Sequence, residues 1–199
     1  MTGEEFVARL DGRRRELERL VKRVLPVQAG NLAVRHYREG FRQGGFIDGS
    51  LQPWTVTRRQ QSGGTDAASQ YGPLVSERNR LMVSVQREAG TGSVTVYSRL
   101  PYSAVHNYGG EVHPQVTPKM RKWAWAMYYK AMGGSPGGKA QGGAAGASGE
   151  AGKWKALALT KRERLTVRIP QRQFIGASQT LNRAIEAKIR EEVAKLLAP

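Results

Sequence analysis

Apolar residues along the first 45 positions recur at helical spacing. Phe6, Leu10, Leu17, Leu20, Val21, Val24 and Leu25 fall three, four and seven residues apart, which places them on one stripe. The opposite face carries Arg13, Arg14, Arg15, Arg19, Lys22 and Arg23. Thr2 followed by Glu5 has the spacing of a capping box, so the helix is expected to start there. Pro26 is expected to stop or kink it, because proline lacks the donor the next turn needs. A second helical stretch follows, with Leu32, Val34, Tyr37 and Phe41 as candidate buried positions, and Gly44-Gly45 ends it. Residues 1–45 therefore read as an N-terminal helical segment, either a bent helix or a helical hairpin.

The pattern then changes. Residues 46–73 are turn-rich, with Asp48-Gly49-Ser50, Gln52-Pro53 and Trp54, and residues 62–72 read as an exposed loop. Leu74, Val75, Leu81, Met82 and Val85 suggest a short helix leading into a strand. Val94, Val96 and Ser98 alternate with Thr95 and Tyr97, which is strand periodicity. Ala89-Gly90-Thr91-Gly92 separates this run from Met82–Glu88 and marks a hairpin. Pro101 suits the first turn of a short helix with Tyr102, Val105 and His106 on one face, ended by Gly109-Gly110. Glu111–Thr117 reads as an extended arm, and Pro118 opens a helix to about Met132.

Residues 133–152 hold nine Gly, five Ala and two Ser and no large apolar residue, so this stretch reads as a flexible Gly/Ala-rich loop. Order is expected to resume at Trp154. Leu165, Val167 and Ile169 alternate with Thr166 and Arg168 as a strand. A turn at Pro170 leads to a last helix from about Ala177 to Leu197, striped by Leu181, Ile185, Ile189 and Val193. The order of elements points to an α+β fold: one domain over residues 1–199, a small antiparallel sheet flanked by long N- and C-terminal helices.

Charge adds a second constraint. The chain has 32 Lys and Arg against 16 Asp and Glu, a net charge of +16. Such an excess suits a polyanion, but with no nucleic-acid module beside it the reading that leads is a solvated surface that complements an acidic neighbour in an assembly. No cysteine is present, which excludes disulfides, thiolate nucleophiles and Cys-ligated zinc. The acidic start at Glu4 and Glu5 lacks an apolar signal core, and no run of about 18 apolar residues is present, so neither a signal peptide nor a membrane span is expected.

Candidate chemistry is sparse. His106 and His113 are seven residues apart with only Glu111 nearby, a poor donor set for a metal, and His106 reads instead as a hydrogen-bonded packing residue. Asp48, Asp66, Glu77, Glu88 and Glu111 show no spacing that couples two carboxylates. No nucleophile elbow or Walker loop occurs. No catalytic residue, cofactor or metal is expected. Lys119, Arg121 and Lys122 lie beside Trp123 and Trp125, a mixture that can grip phosphates and stack bases, or dock a helix on its own sheet or a neighbouring subunit.

Two short stretches stand apart: Tyr102-Ser103-Ala104-Val105-His106-Asn107-Tyr108-Gly109-Gly110 and Ile169-Pro170-Gln171-Arg172-Gln173-Phe174-Ile175-Gly176. Each joins a strand-like run to a helix. In the second, Pro170 stiffens the strand exit, Phe174 and Ile175 can plug into a core, Gly176 lets the chain turn, and Arg172 can pair with a carboxylate across an interface. With Asp48-Gly49, Trp54, Thr57, Leu74–Leu81 and Val85, the chain resembles the phage virion morphogenesis proteins, the tail-completion proteins of Mu-like phages and prophages.

That resemblance implies a structural subunit of the virion, made in the host cytoplasm and placed at the tail end or neck. It implies head–tail joining or tail completion within a homo-oligomeric ring, in contact with other tail or neck proteins. Tyr102, His106, Tyr108, Gly109, Gly110, Pro170, Arg172, Phe174 and Gly176 become candidate motif or interface positions. A different reading of the charge is a basic nucleic-acid-binding module with non-specific DNA contact through Lys119, Arg121, Lys122, Trp123 and Trp125.

Overall fold

A computed structural model describes residues 2–61, 70–133 and 149–198. The fold is α+β, and the chain divides into two compact units, Met1–Gly110 with Pro170–Pro199, and Glu111–Ile169. Most of the stretch read as a Gly/Ala-rich loop, and most of the loop at 62–72, lie outside the described residues.

The first unit begins with α1 (Gly3–Arg19), capped by the Thr2–Glu5 box that the sequence signals. Pro26 does not stop the helix. A π-helical turn (Leu20–Val24) carries the chain straight into α2 (Leu25–Gln43), which excludes the hairpin reading. The carbonyl that Pro26 cannot reach is that of Lys22, and Gly92 from a neighbouring hairpin donates to it at 3.0 Å. The wide turn thus accommodates the missing donor, and the freed acceptor is satisfied from outside the helix.

Gly44 caps α2 and the chain turns into a hairpin of β1 (Gly45–Asp48) and β2 (Ser50–Pro53), paired antiparallel. Two short helical turns follow, α3 (Arg58–Gln61) and α4 (Arg80–Val83). A second antiparallel hairpin joins β3 (Gln86–Ala89) to β4 (Val94–Tyr97), with Ala89 opposite Val94 as the Gly-rich turn requires. Helix α5 (Ser103–Tyr108) closes this part, and α8 (Gln179–Leu197), capped by Ser178, completes the unit.

The small sheet expected from the sequence is realised as separate two-stranded ribbons. Each strand spans three or four residues, and two-stranded ribbons need a helix to pack on. Helix α2 is that support: both hairpins and α8 pack against it. The core consists of Ala33, Tyr37 and Phe41 from α2 with Phe46, Trp54, Leu81, Val85, Phe174 and Leu181. Phe41 lies at its centre, edge-on to Trp54 at 5.2 Å and tilted against Phe174 at 5.3 Å. Leu32 and Val34 pack around this core and are half-buried.

Helix α1 behaves differently. None of its residues is buried, and its stripe faces outward, with Phe6 48% and Leu10 53% exposed. Its link to the rest is polar: Arg13 donates to the carbonyls of Leu196 and Ala198 at the end of α8.

The second unit pairs β5 (Gly110–Val112) with β6 (Val167–Ile169) and packs α6 (Pro118–Ala131) on α7 (Glu150–Ala158). The expected extended arm is thus partly a strand, and Thr117 caps α6 just before Pro118. Order resumes earlier than Trp154, since α7 takes in Glu150, Ala151 and Gly152. Ala124, Ala151 and Ala158 are buried between helices, small residues that permit close approach.

Candidate functional site

The stretch from Pro170 to Ser178 crosses the first unit as an irregular strap between β6 and α8. An irregular segment has no ladder to satisfy its peptide groups, so each buried one must find another partner. Here most of the partners are side chains. Asn107 Oδ1 accepts from the N–H groups of Phe174 and Ile175, both at 2.9 Å, while its Nδ2 donates to the Ile175 carbonyl at 3.0 Å. Trp54 Nε1 donates to the Gln173 carbonyl at 2.7 Å, and Tyr37 Oη donates to that of Gly176 at 2.7 Å. The Arg172 N–H donates to the His106 carbonyl at 2.8 Å.

The two distinctive sequence stretches therefore meet. Asn107, at the centre of one, holds Phe174 and Ile175 of the other. Gly109 makes this approach feasible: its φ is 74°, and a Cβ there would meet Gln171 N at 3.0 Å. Phe174 is 2% exposed, as a core plug should be. The strap ends where Ser178 Oγ donates to the Ile47 carbonyl at 2.8 Å and accepts from Leu181 N, capping α8 while tying it to β1. Asp48 Oδ1 accepts from Gln179 N at 2.7 Å, adding a carboxylate at the positive end of the helix.

Arg172 is buried and its Nε donates to the Thr55 carbonyl at 3.1 Å; burial draws its pKa below the usual guanidinium value. No carboxylate among the described residues pairs with it. His106 departs from expectation. Its backbone is hydrogen-bonded, but its ring Nδ1 is buried without a partner among the described residues, and the ring packs edge-on to Tyr102 at 6.0 Å. Burial, and next the charge of Arg172, lower the His106 pKa. Both residues line a cleft of about 320 Å³ with Thr57, Arg80 and Tyr102. Tyr102, Tyr108 and Gly110 are exposed, as is Pro170, whereas Gly176 is half-buried. Sequence reasoning missed Asn107, Trp54, Tyr37 and Ser178 as the residues that hold the strap. Asn107 offered one signal, a short amide side chain in a motif that must join two irregular segments.

The basic and aromatic group lies on α6 in the second unit. Lys119, Arg121 and Lys122 are exposed, and Trp123 is half-exposed and edge-on to Trp154 at 4.9 Å. Trp125 is not free to stack on a base: it packs against Tyr128 and Tyr129 within its own helix. The cations thus share a surface with one exposed tryptophan, not two. No group of three or more metal-ligating side chains forms among the described residues. No protein-family model, curated protein or solved structure matches the chain.

Proposed function

We propose that this chain is a structural subunit of a phage particle, acting in tail completion or head–tail joining, and that it works as part of a ring. The observation that carries this reading is α1, whose apolar stripe is exposed along a helix of 17 residues. Such a helix is about 25 Å long, and an apolar face of that length on an isolated chain is the kind of patch that marks a protein interface. The likeness of the two strap-forming stretches to the tail-completion family supports the same reading. On this reading, the polar strap is the rigid frame and α1 the joining element, with a second copy as its first partner. Lys119, Arg121 and Lys122 offer a surface to acidic neighbouring subunits.

Light scattering coupled to size exclusion tests the ring, and imaging of particles tests its location. The expected result is a homo-oligomer, with the chain found in virions or tails. A strict monomer that never joins either would overturn the proposal.

A further inference from the structure

A second cleft lies elsewhere in the first unit, between α2 and β3, with a volume of about 640 Å³. Four arginines line it: Arg35, Arg38 and Arg42 from α2, and Arg87 from β3. The three on the helix are three and four residues apart and so lie on one stripe. We infer that this cleft is a phosphate-binding site for the backbone of double-stranded nucleic acid, one that does not read sequence.

The fold sets these side chains deliberately. Gly30 lacks a Cβ where one would lie 2.5 Å from Arg87 Cδ, so the Arg87 stem can cross α2. Its Nε then donates to Asn31 Oδ1 at 2.6 Å. Arg38 is anchored at the floor, where Nη2 donates to the carbonyls of Val83 and Val85 at 3.3 and 3.1 Å. Its Nε is buried and bonds no acceptor among the described residues. A guanidinium held in place by two carbonyls is a fixed positive charge at the cleft, and an anion is its natural counterpart. Arg42 is engaged at the rim by Glu39 at 2.9 Å, and no carboxylate lines the cleft itself. Arg35 is exposed, and its side chain makes no hydrogen bond or ion pair among the described residues.

The lining selects the class of polyanion. An interface for an acidic protein would present aromatic or apolar anchors among its charges. This cleft has only Val34 and Val85 beneath its cations and no aromatic ring. The same lack removes the stacking platform that single strands need. Guanidinium groups alone fix the register of a phosphate backbone and carry no base readout. From Arg35 to Arg42 the helix rises about 10 Å, about three phosphate steps of one strand along a duplex axis.

The test measures binding to a short duplex DNA of arbitrary sequence as a function of salt, and it stands independently of any virion role. The wild-type chain should bind at low salt. The triple variant Arg35→Gln, Arg42→Gln, Arg87→Gln should flatten the logarithmic salt slope by about 2–3, at about 0.9 for each phosphate contact removed. Between about 50 and 200 mM salt the wild type would then lose about 40-fold more affinity than the variant. The matched variant Lys119→Gln, Arg121→Gln, Lys122→Gln should keep the wild-type slope, and so should replacing the three cleft arginines with lysine. Should the triple variant not fold, Arg35→Gln alone should flatten the slope by about 0.9. The inference is overturned if the wild type does not bind, if the cleft variants keep the full slope, or if the α6 variant loses it. Tighter binding to polyglutamate than to duplex DNA would also overturn it, assigning the cleft to an acidic protein.

Discussion

The strap and helix α1 are built on opposite principles. The strap has no regular structure, yet it carries Phe174 into the core and its peptide groups are held by Asn107, Trp54 and Tyr37. Helix α1 is regular, well capped and strongly patterned, yet buries none of its residues. Regularity satisfies a backbone within its own element, so α1 needs nothing from its neighbours to hold its hydrogen bonds. The strap can exist only where the rest of the unit supplies donors and acceptors. Loss of a strap contact should therefore be felt by the whole fold, and loss of an α1 side chain by whatever binds it.

The largest effect tests the strap's core plug. Phe174→Ala removes a ring that is 2% exposed and in contact with Phe41. It should cost about 3–5 kcal/mol in urea unfolding. A change below about 1 kcal/mol would mean that the strap is a covering rather than part of the core.

Asn107→Ala comes next. It strands the buried N–H groups of Phe174 and Ile175, and the Ile175 carbonyl loses one donor. An unpaired buried group costs about 1–3 kcal/mol, so the variant should lose about 2–4 kcal/mol with Phe174 itself untouched. Unchanged unfolding would show that water replaces the amide, and the contrast with α1 would narrow.

How far the sequence discloses this arrangement depends on whether the signal is local. The Thr2–Glu5 box, the Thr117-Pro118 start and the Ala89–Gly92 turn are each set by a few neighbouring residues, and each is present where the sequence indicates. The π turn was not legible, because its cause is partly remote: Gly92 supplies the donor to Lys22. The hairpin at Gly45–Pro53 was obscured because β2 is wholly exposed and shows no apolar alternation. The start of α7 was masked by composition, since Ala151 is buried against a partner helix that a count of glycines does not reveal. The arginine stripe at positions 35, 38 and 42 was readable by spacing, but its meaning required Arg87 from a strand far along the chain.

Protonation gives a smaller, graded test of the strap's surroundings. Burial holds the pKa of both His36 and His106 below the usual histidine value. At His106 the Arg172 charge acts in the same direction; at His36 the Ile47 carbonyl and Asp48 oppose it. Because the folded pKa is the lower, the unfolded chain takes up protons first as pH falls through about 6.5. Stability should be complete above that pH and decline below it until the folded histidines also titrate. The melting temperature should therefore fall between about pH 6.5 and 5, and His36→Asn with His106→Asn should flatten that fall. An equal decline in the double variant would place its origin outside these two rings.

The smallest expected effect on the fold is the most direct test of the contrast. Phe6 and Leu10 lie one turn apart on α1 and are about half exposed. Phe6→Ser with Leu10→Ser removes side chains that the described residues do not bury, so unfolding should shift by no more than about 0.5 kcal/mol. Helicity should persist, since the Thr2 cap and the Arg13 contacts to Leu196 and Ala198 are untouched. Self-association should weaken instead, because the same surface would be the one buried between copies. Light scattering across a concentration series reads that directly. A double variant that unfolds as readily as Asn107→Ala would make the α1 stripe part of the core. One that associates as before would leave the joining surface to another face.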